Sequence, residues 1–543
     1  MQTFLTLHHN EILGQISMFD RMIFRGHLSG FYPQGAFQRF LNSQGTLLKD
    51  FGRYVQTMSG ILKEHAQGVA KQAGRQFLYL NAPTTKATGK SKEDLAREIA
   101  CRQGISEGLI CVFSVLEPCM SFRVRGNPET QKLEVVRAPR KCLHFYFYLL
   151  DPEFGFMHVR LQSWFPFQIQ LYINGREWLG RQMQGRGIEY RRYENSFLWV
   201  DRLSEVQSIC QKFLRRKWVR LLDAFARRVN PLLTMIRQAR FGGYWWVLDQ
   251  AEIATDVMFA NRSSLTPLLP EVLQYAMHTF SCEDVMRFLG RKLHGNFQGQ
   301  LTSDLKRRPE GYRVKHRMRG NSLKVYDKWS VLRVETTITQ PRQFKVLRVI
   351  QLPSGKLSRQ WRPMGKGVAN MGRYYQVGLQ ANRRYLEALA QVSQRGKAVK
   401  ELDSLCRPVV KDGRRYAKLQ PLSRKDRAVF AAVMSADRLI HGVRNRDVRA
   451  ALYAAGGQSS PLEDRRRCAR VSRILRTLCG HALIYRVRKA NLYRVTHRGH
   501  RIMSSVLLFH CCLPGSVAKL RQDGLRPLRQ RRCTELPWRD ACA

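Results

Sequence analysis

Glu463-Asp464-Arg465-Arg466-Arg467-Cys468-Ala469-Arg470-Val471-Ser472-Arg473-Ile474-Leu475-Arg476-Thr477-Leu478-Cys479-Gly480 is the stretch from which the C-terminal part of the chain can be read. Val471, Ile474, Leu475 and Leu478 recur at i, i+3, i+4 and i+7, the spacing of one apolar helix face. Arg466, Arg470 and Arg473 fall on the opposite side, and Thr477 continues their line. Gly480 is expected to stop this helix as a left-handed C-cap. Beyond it, residues 484–487 and 492–495 read as two short strands about the polar turn Arg488-Lys489-Ala490-Asn491. Thr496 can then cap a further helix that runs through Ile502, Val506 and Leu507. Upstream, residues 425–440 are amphipathic through Val429, Phe430, Val433 and Met434. Asn445 is placed to cap a helix over 446–453 carrying Val448, Leu452 and Tyr453.

Helix, glycine, two-stranded wing and capped helix, in that order, resemble a winged helix-turn-helix of the MarR-like kind, over residues 422–510. The resemblance implies a nucleic-acid-binding role: Arg466, Arg470, Arg473 and Thr477 would face the major groove, and Arg488 and Lys489 on the wing would touch phosphate or the minor groove. Between Glu463 and His510 there are 12 Lys or Arg against two acids, so the predicted recognition helix and wing are both cationic. A protein–protein module with a solvated basic face is the alternative.

The whole chain shares this bias. It has 543 residues, enough for roughly three or four domains. A hydrophobic fraction of 44% is sufficient to bury cores. The formal net charge is +52, and the sequence pI is near 10.6. Self-repulsion of that size costs stability, and a polyanionic partner relieves it by neutralising cations and releasing counterions. The expected partner is DNA, with RNA possible. A membrane is not expected, because the longest apolar run, residues 143–150, is too short to span a bilayer and no secretion signal is recognisable. The 13 cysteines have no Cys-x-x-Cys spacing, which argues against a zinc ribbon or a secreted disulfide framework. A cytoplasmic, nucleoid-associated protein of a prokaryote is favoured over a nuclear one.

The expected fold class is α+β: an N-terminal mixed, mainly antiparallel sheet with helices over 1–290, a basic hairpin and helix region over 291–400 completing that body, a linker over 401–421, the winged helix over 422–510, and a basic disordered tail over 511–543. Residues 19–26 give one strand and 37–73 give helices. About six strands follow between 109 and 173, with breaks near the prolines. Ser91 opens a helix with a capping box. The many aromatics between Phe145 and Tyr172 suit either a core or stacking of splayed bases. Residues 204–240 read as basic helices, with Arg215 and Arg216 outside as candidate phosphate contacts. Residues 248–290 read as a mixed helical part. Residues 342–362 form a basic hairpin that turns at Gly355, and no ATP-binding P-loop is present.

A second hairpin carries possible chemistry. Residues 321–328 and 331–338 pair about Lys328-Trp329-Ser330, so Tyr326 would face Arg333 and Lys324 would face Glu335, with Leu323, Val325, Leu332 and Val334 on the apolar side. Ser-x-Lys-x-Tyr-Asp-Lys followed by Leu-Arg-x-Glu is similar to a segment of rolling-circle replication initiators and relaxases. That resemblance implies a tyrosine nucleophile at or beside Tyr326 and an active-site acid at Glu335. It also implies Mg2+ if the protein is a nuclease, with Asp20, Glu117 or Glu177 as further carboxylates. The His-hydrophobic-His metal motif of many such enzymes is missing. A structural Lys324–Glu335 pair on a basic surface hairpin is the alternative. The functional expectation is a DNA-binding protein of a mobile or replicating element. A strand-nicking enzyme and a structured-RNA-binding protein are the two alternatives, and whether the protein is an enzyme stays open.

Overall fold

Residues 12–28 form a single 17-residue strand, β1 (Ile12–Leu28), buried on both faces from Ile16 to Asp20 and alternating between buried and more exposed side chains beyond, with β9 and β6 hydrogen-bonded along its two edges. The computed structural model describes residues 2–81, 89–291, 301–308, 311–390, 392, 404–411, 413–453, 460–487 and 490–511. The fold class is α+β, and the chain divides into two units, Met1–Leu389 and Ala390–Ala543. Residues 291–389 therefore belong to the first body, with no boundary at 290.

Around β1 the first unit assembles β2 (Gln76–Leu80), β3 (Gly108–Asn127), β4 (Lys132–Asp151), β5 (Gly155–Gln162) and β6 (Ile169–Asn174). A separate hairpin, β7 (Tyr190–Tyr193) and β8 (Ser196–Val200), follows. β9 (Tyr244–Phe259), β10 (Thr302–Arg308), β11 (Gly311–Met318), β12 (Asn321–Lys328) and β13 (Val331–Ile338) complete the sheet. Its order is β10-β11-β12-β13-β9-β1-β6-β5-β4-β3-β2, eleven strands. Only β2 and β3 pair in parallel, joined across the Lys92–Arg102 helix that Ser91 and Asp94 start with a reciprocal capping box.

Two readings of this region are corrected. The six expected strands between 109 and 173 are four, because Pro118 and Pro139 lie inside β3 and β4. Each proline falls where its strand has a neighbour on one side only: β2 pairs with β3 only from Cys111 to Val115, and β5 pairs with β4 only from His144 onward. A missing N–H is harmless there. The second correction is β9, which replaces the start of the expected helical part at 248–290. The aromatics between Phe145 and Tyr172 are mostly buried and serve as core.

The Met371–Leu389 helix covers one face of the sheet. Gly378 permits the approach, since a Cβ there would come within 2.7 Å of the Ile253 side chain. Asn382 is fully buried and satisfied: its Nδ2 donates to Ile253 O at 2.9 Å, and its Oδ1 accepts from Thr336 Oγ1 at 2.6 Å. Beside this helix the hairpin of β14 (Lys345–Gln351) and β15 (Leu357–Pro363) pairs only with itself.

In the second unit β16 (Val409–Lys411) and β17 (Arg414–Tyr416) precede helices Arg424–Val433, Ala436–His441, Asn445–Leu452 and Pro461–Gly480. The hairpin of β18 (Ile484–Arg486) and β19 (Tyr493–Val495) and the helix His497–Cys511 complete it. Val443 and Tyr493 exchange backbone hydrogen bonds of 2.8 Å, adding a short third strand to that hairpin. The expected linker is not one, since Leu405 and Leu419 are buried in the same core as Val429, Phe430, Val471, Leu475 and Leu478. Gly480 does not stop its helix either. It is the last helical residue, where a Cβ would fall 2.3 Å from the Tyr416 ring, and Ala482 takes the positive φ of 56°. Asn445 is not a cap. Its side chain donates to Cys468 O at 3.0 Å and Ser472 Oγ at 2.8 Å, tying two helices together. Thr496 does cap, accepting from Gly499 N at 2.9 Å. The tail expected to be disordered lies, after Cys511, outside the described residues.

Candidate functional site: a buried charge cluster and an exposed arginine helix

The β12–β13 register places Lys324 opposite Glu335 and Tyr326 opposite Arg333, as the alternation predicts. Strand alternation puts all four on the sheet face away from Leu323, Val325 and Val334. β9 adds Glu252 and Asp256 to the same face, since Arg333 pairs with Asp256 and Thr337 with Glu252. A bulge in β1 completes the group: Phe19 pairs with Ile253 and Met22 with Ala251, so Asp20 and Arg21 together oppose Glu252.

Arg333 Nε and Nη2 donate to Asp256 at 2.6 and 2.8 Å, and its Nη1 donates to Asp20 Oδ2 at 2.8 Å. Arg176 lies 3.2 Å from Asp256 and is fully buried. It is brought there by the Gly175–Gln184 helix, whose N-cap is Asn174. Asn195, in the β7–β8 turn, donates to Asp20. Lys324 Nζ bridges Glu335 and Glu252, the latter at 3.4 Å, and Tyr326 Oη donates to Glu335 Oε2 at 2.6 Å. Arg21, beside Asp20, reaches solvent. Four carboxylates (Asp20, Glu252, Asp256, Glu335) thus face four cations (Arg21, Arg176, Lys324, Arg333).

The titration of these groups follows from that balance. Burial alone would raise Glu335, but Lys324, Tyr326 and Arg333 hold it down at about 2. Glu252 is raised to about 7 by burial and by the Glu335 charge, against the pull of Lys324. Tyr326 is held well above its ordinary value by burial and by Glu335.

Oxygen atoms of Asp20, Glu252 and Glu335 lie within 4.8 Å of one another, close enough to share a cation. Their charge is already met, however: Lys324 stands between Glu252 and Glu335, and Arg333 holds Asp20. Mg2+ would have to displace an ammonium, so the residues do not fit a resident metal as arranged. Glu117 and Glu177 are not part of the cluster. Glu117 takes Lys92, Tyr146 and Arg160, and Glu177 takes Arg192. Sequence reasoning reached Asp20, Tyr326 and Glu335 but missed Glu252, Asp256, Arg176 and Asn195. The signal available was the alternation of Glu252, Ala254 and Asp256 against Ile253, Thr255 and Val257.

The basic candidates separate into used and unused charges. Arg466, Arg470 and Arg473 are exposed on the Pro461–Gly480 helix and form no ion pair among the described residues, while Val471, Leu475 and Leu478 are buried on its other side. Thr477 is half-buried and donates back to Arg473 O at 3.0 Å, a helix-internal bond. Arg467 is engaged, paired with Glu463 and 4.9 Å above the Tyr453 ring. Arg488 and Lys489 lie outside the described residues. Arg215 is exposed at the end of the Leu203–Leu214 helix. Arg216 is corrected as a phosphate contact: it is half-buried, pairs with both Glu153 oxygens and lies 5.4 Å from the Phe154 ring.

No helix among the described residues is long and apolar enough to cross a membrane. Comparison with protein families, curated proteins and solved structures found no match to this chain.

Proposed function

We propose that the protein binds nucleic acid, DNA in the first place, through residues 422–510 acting as a winged helix, in the service of a mobile or replicating element in a prokaryotic nucleoid. The observation that carries this reading is the row Arg466, Arg470 and Arg473. Three arginines on one helix stand in solvent with no ion pair among the described residues, while the opposite side of that helix is locked into a core. The order of elements supports the winged-helix reading: two helices, a short strand at Val443, two helices, and a hairpin whose second strand pairs with Val443. A helix in this position enters a major groove by its exposed face, and the hairpin flanks the backbone. The test is binding of the full chain to random duplex across a salt series, followed by selection of a preferred site. A flat salt response overturns the reading. Parallel titration of structured RNA distinguishes the RNA alternative.

A second reading, strand nicking by Tyr326, draws on the 2.6 Å contact between its hydroxyl and Glu335. The raised tyrosine and the lowered glutamate oppose proton transfer in this arrangement, so the reading requires the cluster to open. Incubation with supercoiled plasmid and Mg2+ tests it: a covalent protein–DNA adduct that disappears in Tyr326→Phe supports nicking, and neither nicking nor adduct in the wild type excludes it.

A further inference from the structure

The hairpin β14–β15 has no place in either reading, and it is the most one-sidedly charged part of the first unit. Residues 336–386 contain ten Lys or Arg and no Asp or Glu. Six of the ten, Arg342, Lys345, Arg348, Lys356, Arg359 and Arg362, stand on or beside the hairpin, and none forms an ion pair among the described residues.

The root of this arm is fixed. Phe344 and Met364 are buried, and Met364 N donates to Phe344 O at 2.8 Å. Leu248 N in β9 donates to Lys366 O at 2.7 Å, and Arg373 Nε on the Met371–Leu389 helix donates to Lys345 O at 2.9 Å. Beyond the root the contacts are few: Arg348 Nη2 donates to Asn370 Oδ1 at 3.4 Å, and Arg373 lies 5.2 Å from the Trp361 ring. Two strands of seven residues paired only with each other are marginal in water, so burial against something else would be expected to stabilise them. Instead Leu347 is 47% exposed, Val349 57%, Leu357 74% and Trp361 54%. The register brings these side chains to one face, with Leu347 opposite Trp361, Val349 opposite Arg359 and Gln351 opposite Leu357. Exposed apolar groups gathered with Arg359 and Lys345 on one ribbon face, with Arg348 and Arg362 on the other, mark a binding surface.

We infer that β14–β15 is a second nucleic-acid contact, a ribbon that enters a groove of duplex DNA. Charge chooses the partner: with cations along both strands and no acid over fifty residues of chain, the complement is a polyanion. Geometry chooses the groove. A two-stranded ribbon is the other element, besides a helix, that the major groove admits, and seven residues per strand span roughly 23 Å, about two thirds of a duplex turn. Arg348, Arg359 and Arg362 reach the phosphates, and Trp361 with its aliphatic neighbours packs on sugar and base edges. This inference rests on the nucleic-acid reading but not on the winged helix, because it concerns a different unit.

The experiment measures binding of the full chain to a fluorescent duplex at several salt concentrations, for the wild type, Arg348→Glu/Arg359→Glu/Arg362→Glu, Trp361→Ser, and Arg466→Glu/Arg470→Glu/Arg473→Glu. All substituted positions of the arm are exposed, and an unchanged melting temperature confirms that each variant folds. The arm triple variant is expected to bind at least tenfold more weakly, with the log–log salt slope reduced by about 2–3. Trp361→Ser is expected to lose severalfold without a change of slope. Wild-type affinity and slope in both arm variants overturn the inference while leaving the winged-helix reading standing if the helix triple variant still fails. Loss in the arm variants alone upholds the arm and refutes the helix. Binding to phosphatidylglycerol vesicles that depends on the arm, with duplex binding unaffected, assigns the surface to an anionic bilayer and overturns the inference.

Discussion

Arg333 donates two parallel hydrogen bonds to Asp256, of 2.6 and 2.8 Å, at a point where neither side chain is more than 1% exposed. The pair joins β13 to β9, and the third donor of the same guanidinium, on Asp20, joins both to β1. Removing one member of such a pair strands the other charge in the interior. Arg333→Met is therefore expected to destabilise the first unit by about 3–5 kcal/mol. Arg333→Met combined with Asp20→Asn is expected to recover part of the loss, because the charge stranded on Asp20 is gone while Asp256 keeps Arg176. Denaturant melts of the two variants measure this. Equal destabilisation by the single and double changes would show that the stranded charge is not the source of the effect.

Stability should also fall in mild acid. His158 and His316 are pushed down from 6.5 to about 4 by burial. Each is neutral in the fold but free to protonate once unfolded, so between pH 6.5 and 4 the unfolded chain binds more protons and stability drops as pH falls. His158 Nδ1 has no hydrogen-bond partner, and its ring stacks on Tyr172 with centroids 5.3 Å apart. Phenylalanine would keep that stacking, and His158→Phe is expected to remove on the order of 2 kcal/mol of the acid-side loss. Glu252 works in the other direction. Its folded value of about 7 lies above the ordinary 4.5, so the fold binds the extra proton and stability falls as pH rises through that window. Glu252→Gln should abolish that decline, which thermal melts from pH 4 to 8 would resolve.

Close packing at Gly378 gives an independent check of the helix that backs the sheet. An alanine inside a helix usually gains about 1 kcal/mol over glycine. Here the added methyl would meet Ile253 at 2.7 Å, and Gly378→Ala is expected to cost about 1–3 kcal/mol as overpacking. Combining it with Ile253→Val should relieve part of the cost. A stabilised Gly378→Ala variant would show that the helix can move off β9.

The register of β12 and β13 was legible because strand alternation there is strict and the turn is short, so Lys324, Tyr326, Arg333 and Glu335 could be set against one another from spacing alone. β9 was not. Asp249, Glu252 and Asp256 are three and four residues apart, the spacing of a polar helix stripe, and Ala251 to Phe259 is buried on both sides because β9 lies at the centre of the sheet. The bulge at Asp20 has no signature in composition, yet it places Asp20 beside Glu252. In the second unit the buried stripe of the 461–480 helix was legible from its period. The roles of Gly480 and Asn445 were not, because both are set by neighbours distant in sequence: Tyr416 for the first, Cys468 and Ser472 for the second.

The three arginines of the 461–480 helix should not be equivalent if that helix reads a groove. A side chain that bonds a base edge contributes roughly 1–3 kcal/mol of discrimination, and its loss relaxes preference at one position of the site. A side chain that only meets phosphate weakens every sequence alike and lowers the salt slope by about one. Arg466, Arg470 and Arg473 are spaced by four and three residues, so they climb one face over two turns and meet successive positions along a duplex. Single alanine variants, each taken through site selection and a salt series, are expected to split into the two classes, with at least one arginine relaxing a single position. The Asn445 bridge beneath them supplies a control without charge: Asn445→Ala frees the helix from Cys468 O and Ser472 and should cost about 1 kcal/mol of stability. It should weaken the selected site more than random duplex, because orientation matters only to base contacts. If all three arginine variants lose affinity uniformly and Asn445→Ala leaves selectivity intact, the helix contributes charge alone, and the reading of a sequence-specific winged helix is excluded.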